Sequence, residues 1–163
     1  MMEEREEDRK QAFELFRKAH ELQMSGALEE ACECYKKSIA LYPTAEAYTF
    51  LGWTYSFMGR YDEAIQECHK AIAIDPDFGN PYNDIGAYLI EKGRLDEAVP
   101  WLEKATKAAR YESYCFPHLN LGRIWEKRGD WYRAMEEYQK ALQANPNYAL
   151  AAKALGRIKG MLN

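Results

Sequence analysis

The sequence predicts an all-α fold, an αα-superhelix: a right-handed solenoid of four helical hairpins closed by one further helix. Three observations lead there. The string Gly-x-x-x-x-Ala occurs four times, at Gly26 to Ala31, Gly59 to Ala64, Gly93 to Ala98 and Gly129 to Ala134, in steps of 33, 34 and 36 residues. A second glycine series, Gly52, Gly86, Gly122 and Gly156, runs seven residues ahead of the first, with Ala19 in the equivalent place of the opening unit. Pro43, Pro76 and Pro146 each follow a second apolar run by a few residues, where a chain must leave helical geometry.

Composition agrees with a folded chain and narrows its chemistry. An apolar fraction of 47% and a charged fraction of 29% across 163 residues are ordinary for a folded protein and too apolar for a disordered one. The net charge of −4 offers no global attraction for phosphate backbones, which argues against nucleic acid as a partner. No stretch approaches the roughly 18 apolar residues that span a bilayer, so a membrane is not expected either. The opening residues 1–10 are almost wholly charged, unlike a signal peptide, and the expected location is cytoplasmic. Cys32, Cys34, Cys68 and Cys115 lack CxxC spacing, and Cys32 and Cys34 would leave a helix on different sides, so free thiols are expected.

The expected organisation is a single domain, 1–163, with units near 10–43, 45–78, 79–112 and 115–148 and a capping helix at 148–162. Within each unit the glycine of the first series ends one amphipathic run in the left-handed conformation that closes a helix. The second helix then opens on carboxylates, Glu29 and Glu30, Asp62 and Glu63, or Asp96 and Glu97, which suit the positive end of a helix dipole; the fourth unit has Tyr132 and Arg133 there. Glycines of the second series lie inside helices, where each costs up to about 1 kcal/mol, and close packing of the hairpin's two helices is the compensation. Pro81 and Pro117 open first helices at little cost. Pro100, several residues into a second helix, should remove one hydrogen bond or bend the axis. Arg110 stands where the other units have proline, and the two extra residues after it predict an irregular loop around Tyr111 to Tyr114.

The second unit reads Tyr48-x-x-Leu51-Gly52-x-x-Tyr55, then Ala64-x-x-x-Cys68, Ala71 and Pro76, and so resembles a tetratricopeptide repeat. The third unit supplies Tyr82, Ile85, Gly86, Leu89, Ala98, Leu102 and Ala105, and the fourth His118, Leu121, Gly122, Trp125, Ala134, Tyr138, Ala141 and Pro146. The first, keeping Ala19, Leu22, Gly26, Ala31, Tyr35 and Pro43, is the weakest, as expected of a terminal repeat. After Pro146 only the first-helix pattern returns, with Ala152, Leu155 and Gly156 in register.

The resemblance implies a protein that binds another protein and turns nothing over: an adaptor or scaffold whose first helices line a concave groove. Carried over by register, the groove positions are Phe13, Phe16, Arg17, His20, Phe50, Trp53 and Phe57 in the first two units, an aromatic cluster that packing between hairpins does not require. In later units they are Asn80, Asn83, Asp84, Asn120, Arg123, Lys127, Lys153 and Arg157. The expected partner is an extended or helical segment with an apolar anchor for the aromatic end, a backbone held by amides, and acidic residues facing the basic end. The two-carboxylate clamp by which some family members hold heat-shock chaperones is not matched, because its places hold Phe16, His20, Phe50, Asn80 and Asp84, or Thr49, Trp53, Asp84, Phe116 and Asn120. The alternative is a self-assembling scaffold in which Ala149, Leu150, Ala154 and Met161 of the closing helix dock on a neighbour.

Catalysis and cofactors find no support. No G-x-G-x-x-G or Walker-type string occurs, and the glycines are spaced by the repeat. His20, His69 and His118 lie in different units, and His69 diverges from Cys68 by about 100° on a helix, so no metal site is expected. The acidic pairs recur at helix starts or on an outer helix, which fits solvated positions better than acid–base dyads. Tyr48, Tyr55, Tyr82, Trp125 and Tyr138 occupy packing registers, whereas Trp53, Trp101 and Trp131 fall outside them and are the aromatics of interest.

Overall fold

A computed structural model describes residues 1–163. It contains nine α-helices: α1 (Met2–Met24), α2 (Leu28–Leu41), α3 (Ala45–Phe57), α4 (Tyr61–Ile74), α5 (Asn80–Glu91), α6 (Leu95–Thr106), α7 (Cys115–Lys127), α8 (Trp131–Ala144) and α9 (Ala149–Leu162). The chain divides into two compact units, Met1–Pro76 with α1 to α4 and Asp77–Asn163 with α5 to α9. In each, consecutive helices pair as hairpins, and first helices lie side by side, α1 with α3 and α5 with α7.

The hairpin turns are the predicted ones. Gly26, Gly59, Gly93 and Gly129 are the residues with positive φ, at 87°, 74°, 75° and 74°. Past each glycine an N–H reaches back to a carbonyl five residues earlier, as from Ala27 to Leu22 at 2.9 Å and Asp130 to Trp125 at 2.9 Å, so orphan carbonyls of the first helix are satisfied. The fourth hairpin lacks carboxylates in the first turn of α8, but its cap compensates: the Asp130 side chain accepts the Arg133 N–H at 3.2 Å.

The second glycine series does what its cost required. A Cβ at Gly52 would lie 2.9 Å from the Ala64 carbonyl oxygen, one at Gly122 would lie 2.5 Å from the Tyr138 ring, and one at Gly86 would overlap Leu102. Glycine here lets first and second helices touch, and buried Tyr35, Leu102 and Tyr138 fill the hairpin interiors. Gly156 differs, since nothing lies within 4 Å of its would-be Cβ.

Three local features depart from expectation or refine it. Helix α1 begins at Met2 rather than near residue 10, because the charged run of Glu, Arg and Lys, though without an apolar face of its own, consists of good helix formers. Helix α6 runs through Pro100 and ends at Thr106, 12 residues long against 14 for α4 and α8. The loop after it is tied down rather than loose: the Gly79 N–H donates to the Arg110 carbonyl at 3.0 Å and the Arg110 N–H to the Asp77 carbonyl at 2.9 Å. Tyr111 closes over Gly79, and the Arg110 guanidinium sits 4.1 Å above the Phe78 ring. Backbone pairing thus ends this unit where proline ends the others.

Candidate functional site

The first-helix face of residues 1–76 is a chain of rings. Phe16 meets Phe50 edge to face with centroids 5.2 Å apart, Phe50 meets Trp53 at 5.8 Å, and Trp53 meets Phe57 at 5.1 Å. His20 stands edge-on to Phe50 at 5.5 Å. Such pairs contribute about 0.5–1.5 kcal/mol each beyond burial. The expectation that packing does not need these rings requires correction: Phe16 also contacts the buried Tyr35 at 5.6 Å and Phe50 lies 6.3 Å from it, so both help join the first two hairpins. Phe57 is 56% exposed, Phe13 is 61% exposed and Trp53 is half-buried, which leaves these three open to a partner. Arg17 is exposed beside them.

Phe13 and Phe16 also wall a cavity of about 1290 Å³ between the N-terminal half of α1 and the α2–α3 connection, opposite Tyr42 and Pro43. Arg9 reaches over the Tyr42 ring at 5.9 Å. The sequence reading missed this hollow because it depends on α1 extending past the start of its hairpin.

The corresponding face of residues 77–163 is polar. Asn120 donates through Nδ2 to Oδ1 of Asn83 at 3.0 Å, Arg123 donates to Oδ1 of Asn120 at 3.2 Å, and Arg123 also lies 3.6 Å from Glu91. Asn83 and Asn120 are each only 7% exposed, so the two amides expected to hold a partner's backbone are largely committed to each other across α5 and α7. Asn80 opens α5 and is half-buried. Burial pushes the Asp84 carboxyl up to about 7, opposed by its hydrogen bond with the Asn83 side chain.

Toward α9, Arg123, Lys127 and Arg157 line a pocket of about 540 Å³ with Leu119, Leu150 and Tyr138. Lys153 does not line it. Glu126 stands among the cations, accepting from the Tyr138 hydroxyl at 2.6 Å and pairing with Arg157. Burial raises the Glu126 carboxyl, but the bonds from Tyr138 and Arg157 prevail and hold it below the ordinary carboxylate value. Sequence reasoning missed Glu126, although a signal existed: it precedes Tyr138 by twelve residues, as Gln23 precedes Tyr35, whose hydroxyl donates to Gln23 Oε1 at 2.7 Å.

Of the three singled-out tryptophans, only Trp53 faces outward from a first helix. Trp101 stacks on Tyr82 at 6.1 Å under Lys104, and Trp131 packs on the core around Tyr138. His118 bonds Glu137 at 2.7 Å and joins α7 to α8. Cys32, Cys34, Cys68 and Cys115 are free, buried thiols. No helix is long and apolar enough to cross a membrane.

Helical hairpins of about 34 residues, each closed by a positive-φ glycine and packed through a small residue in its first helix, Ala19, Gly52, Gly86 or Gly122, define the class of helical-repeat proteins. Family models described as tetratricopeptide repeat match residues 15–44, 45–78, 80–111 and 115–148, and the chain belongs to the tetratricopeptide repeat family. Among curated proteins it is 36% identical over 78 residues to small glutamine-rich tetratricopeptide repeat-containing protein 2 of Mycosarcoma maydis, covering 47% of this chain and 22% of that protein. It is 27% identical over 123 residues to anaphase-promoting complex subunit 3 of Schizosaccharomyces pombe, covering 75% of this chain and 18% of that one. The chain therefore spans about a fifth of the length of these relatives. Among solved structures, Pseudomonas aeruginosa pilF is similar with a TM-score of 0.84 at 24% identity, covering 94% of this chain and 68% of that one. YrrB, described as having an unusual peptide-binding site, is similar with a TM-score of 0.68 at 23% identity, covering 96% of this chain and 80% of that one. At these identities the two structures show the fold alone.

Proposed function

We propose that this protein is a binding adaptor or scaffold: the first-helix face of each unit holds a segment of another protein, and no reaction is catalysed. Proteins of the family mediate protein–protein interaction, and the similar YrrB structure is described by its peptide-binding site. The observation that carries the reading is the aromatic row Phe16, Phe50, Trp53 and Phe57. Its outer members, with Phe13, expose more ring surface than packing within the unit requires, and rings of this kind dominate binding energy when a partner covers them. The partner's chemistry follows from the two faces taken separately. On residues 1–76 an apolar or aromatic side chain covers Trp53 and Phe57, with Arg17 at the rim. On residues 77–163 a carboxylate beside an apolar side chain enters between Lys127, Arg123 and Leu150, and neither Lys127 nor Lys153 has an acidic partner of its own. The four reduced thiols fit the cytoplasmic location proposed with this role.

The test is affinity capture from cell extract with the intact chain beside a Trp53→Ala, Phe57→Ala variant whose circular dichroism is unchanged. A partner retained by the intact chain and lost by the variant supports the reading. Capture of the same proteins by both rejects the aromatic face as the site.

A further inference from the structure

The pocket between α7 and α9 is one end of a longer strip whose chemistry changes along the two helices. At their N-terminal ends Phe116 and Leu150 are exposed, and the half-buried Tyr148 stands edge-on to Phe116 with centroids 5.6 Å apart. Leu119 carries this apolar end into the pocket. Seven residues past Phe116 comes Arg123, and seven past Leu150 comes Arg157. Seven residues are two helical turns, about 10.5 Å, and return to nearly the same side, so each helix bears its apolar residue and its guanidinium on one face. Lys127 extends the cationic end by one turn, and Lys153 is exposed on α9 outside the pocket. The carboxylates at this end are Glu126, which lines the pocket, and Glu91, 3.6 Å from Arg123. Arg123, Lys127 and Arg157 outnumber them, so the end stays positive. Ala154, expected to dock on a neighbour, is instead buried in the chain's own core.

Hydrogen-bonding capacity limits what can lie along this strip. An extended segment presents an N–H and a C=O at every residue, and covering one of them without a partner costs about 1–3 kcal/mol. The side-chain acceptors of α7 are already engaged: His118 with Glu137, Asn120 with Arg123, and Glu126 with the Tyr138 hydroxyl and Arg157. Helix α9 has no amide, hydroxyl or carboxylate side chain. An extended backbone laid here would find cations for its carbonyls and nothing for its N–H groups. A helix satisfies its own backbone and presents side chains alone.

We propose that the strip between α7 and α9 binds a helix of a partner protein, which sets a large aliphatic side chain against Phe116 and Leu150 and, seven residues along, a carboxylate against Arg123 and Lys127. The site rests on the binding role proposed for the first-helix face and adds the conformation and spacing of the occupant. An extended segment would cover the same distance in three residues, at about 3.3 Å each, so the two conformations call for different sequences.

The experiment is a fluorescence-anisotropy titration of the intact chain with three labelled synthetic peptides at low salt. The first is an alanine-based helix with Leu and Glu seven positions apart. The second is the same helix with Leu and Glu five positions apart, which turns the Glu about 140° away from the Leu. The third is flanked by prolines that hold it extended, with Leu and Glu three positions apart. The first peptide is expected to reach half-saturation at a concentration lower by about tenfold or more than either of the others, equivalent to about 1.4 kcal/mol. That advantage should vanish at high salt and against an Arg123→Glu, Lys127→Glu chain whose circular dichroism is unchanged. The proposal is overturned if the extended peptide binds as tightly as the first, if the five-position helix does, if the advantage survives the charge reversal, or if none of the three binds the intact chain. Capture of a partner through Trp53 and Phe57 depends on none of these peptides, so it separates a wrong occupant on this strip from a chain that holds no protein at all.

Discussion

The two units solve the same packing problem and present opposite surfaces. In residues 1–76 a fully buried tyrosine, Tyr35, donates to the neutral Gln23 on the paired helix, and the first-helix face is made of rings. In residues 77–163 the equivalent Tyr138 donates to the ionised Glu126, itself bound to Arg157, and the first-helix face is made of amides and ions. The position is held by Tyr35, Cys68, Leu102 and Tyr138 in the four hairpins, all buried, so the scaffold demands burial there while the hydroxyl and the acceptor facing it are free to vary. Surface chemistry is therefore set by residues outside the repeat's fixed glycine and proline positions, some of which also join neighbouring first helices, which is how one repeat can host unlike binding faces.

The largest expected effect sharpens the contrast at the level of binding. Trp53→Ala with Phe57→Ala should cost at least about 2 kcal/mol of affinity for any ligand of the first unit, as for central aromatic anchors elsewhere, and calorimetry with the captured partner would measure it. Arg123→Glu with Lys127→Glu should instead flatten the salt dependence of binding. A salt slope unchanged in that variant, or one abolished by the aromatic variant, would break the division of labour between the faces.

Next in size is the pair of hydroxyl deletions. Tyr138→Phe removes a bond to a charged acceptor and should destabilise by about 1.5–3 kcal/mol, whereas Tyr35→Phe removes a neutral bond and should cost about 1 kcal/mol, both read from urea unfolding. Equal costs would mean that Arg157 alone satisfies Glu126. The Tyr138 contribution should also depend on acid. The Glu126 carboxyl is held below its ordinary value in the folded chain, so its stabilisation is present above the unfolded value and is lost as pH falls through the folded one. Tyr35, facing an amide, should show no such loss.

A further effect runs the other way with pH. Asp84 is pushed up to about 7 in the folded chain, so the folded state holds more protons than the unfolded state between the ordinary carboxylate range and neutrality, and stability falls as pH rises across that window. Asp84→Asn should therefore raise the midpoint of thermal unfolding at pH 8 and leave it unchanged at pH 4. A gain at both would point to the Asn83 hydrogen bond rather than to the charge.

Much of the fold was legible because it is written in residues with few alternatives. Gly26, Gly59, Gly93 and Gly129 adopt positive φ, and Pro43, Pro76 and Pro146 follow helices that end two residues before them. The start of α1 was not legible, since residues 2–10 have no apolar periodicity and their helix rests on intrinsic propensity alone. The face was legible in register but not in connection. Which residues look outward follows from helical spacing, whereas the bonds from Asn120 to Asn83, 37 residues apart, and from Arg157 to Glu126, 31 apart, depend on how hairpins stack. Register placed Arg157 at the basic end of the groove, and the neighbouring helix supplied a counterion, Glu126.

The four hairpin glycines have one more use. Each has the same backbone conformation, and open space surrounds every one, so replacing any of them with alanine adds a methyl group that touches nothing. What remains is the same left-handed backbone penalty of about 1–2 kcal/mol, delivered at four evenly spaced points along the chain. They form a set of calibrated weights. Hung one at a time, they would report how far a local load is shared with neighbouring repeats and how much of it stays where it was placed.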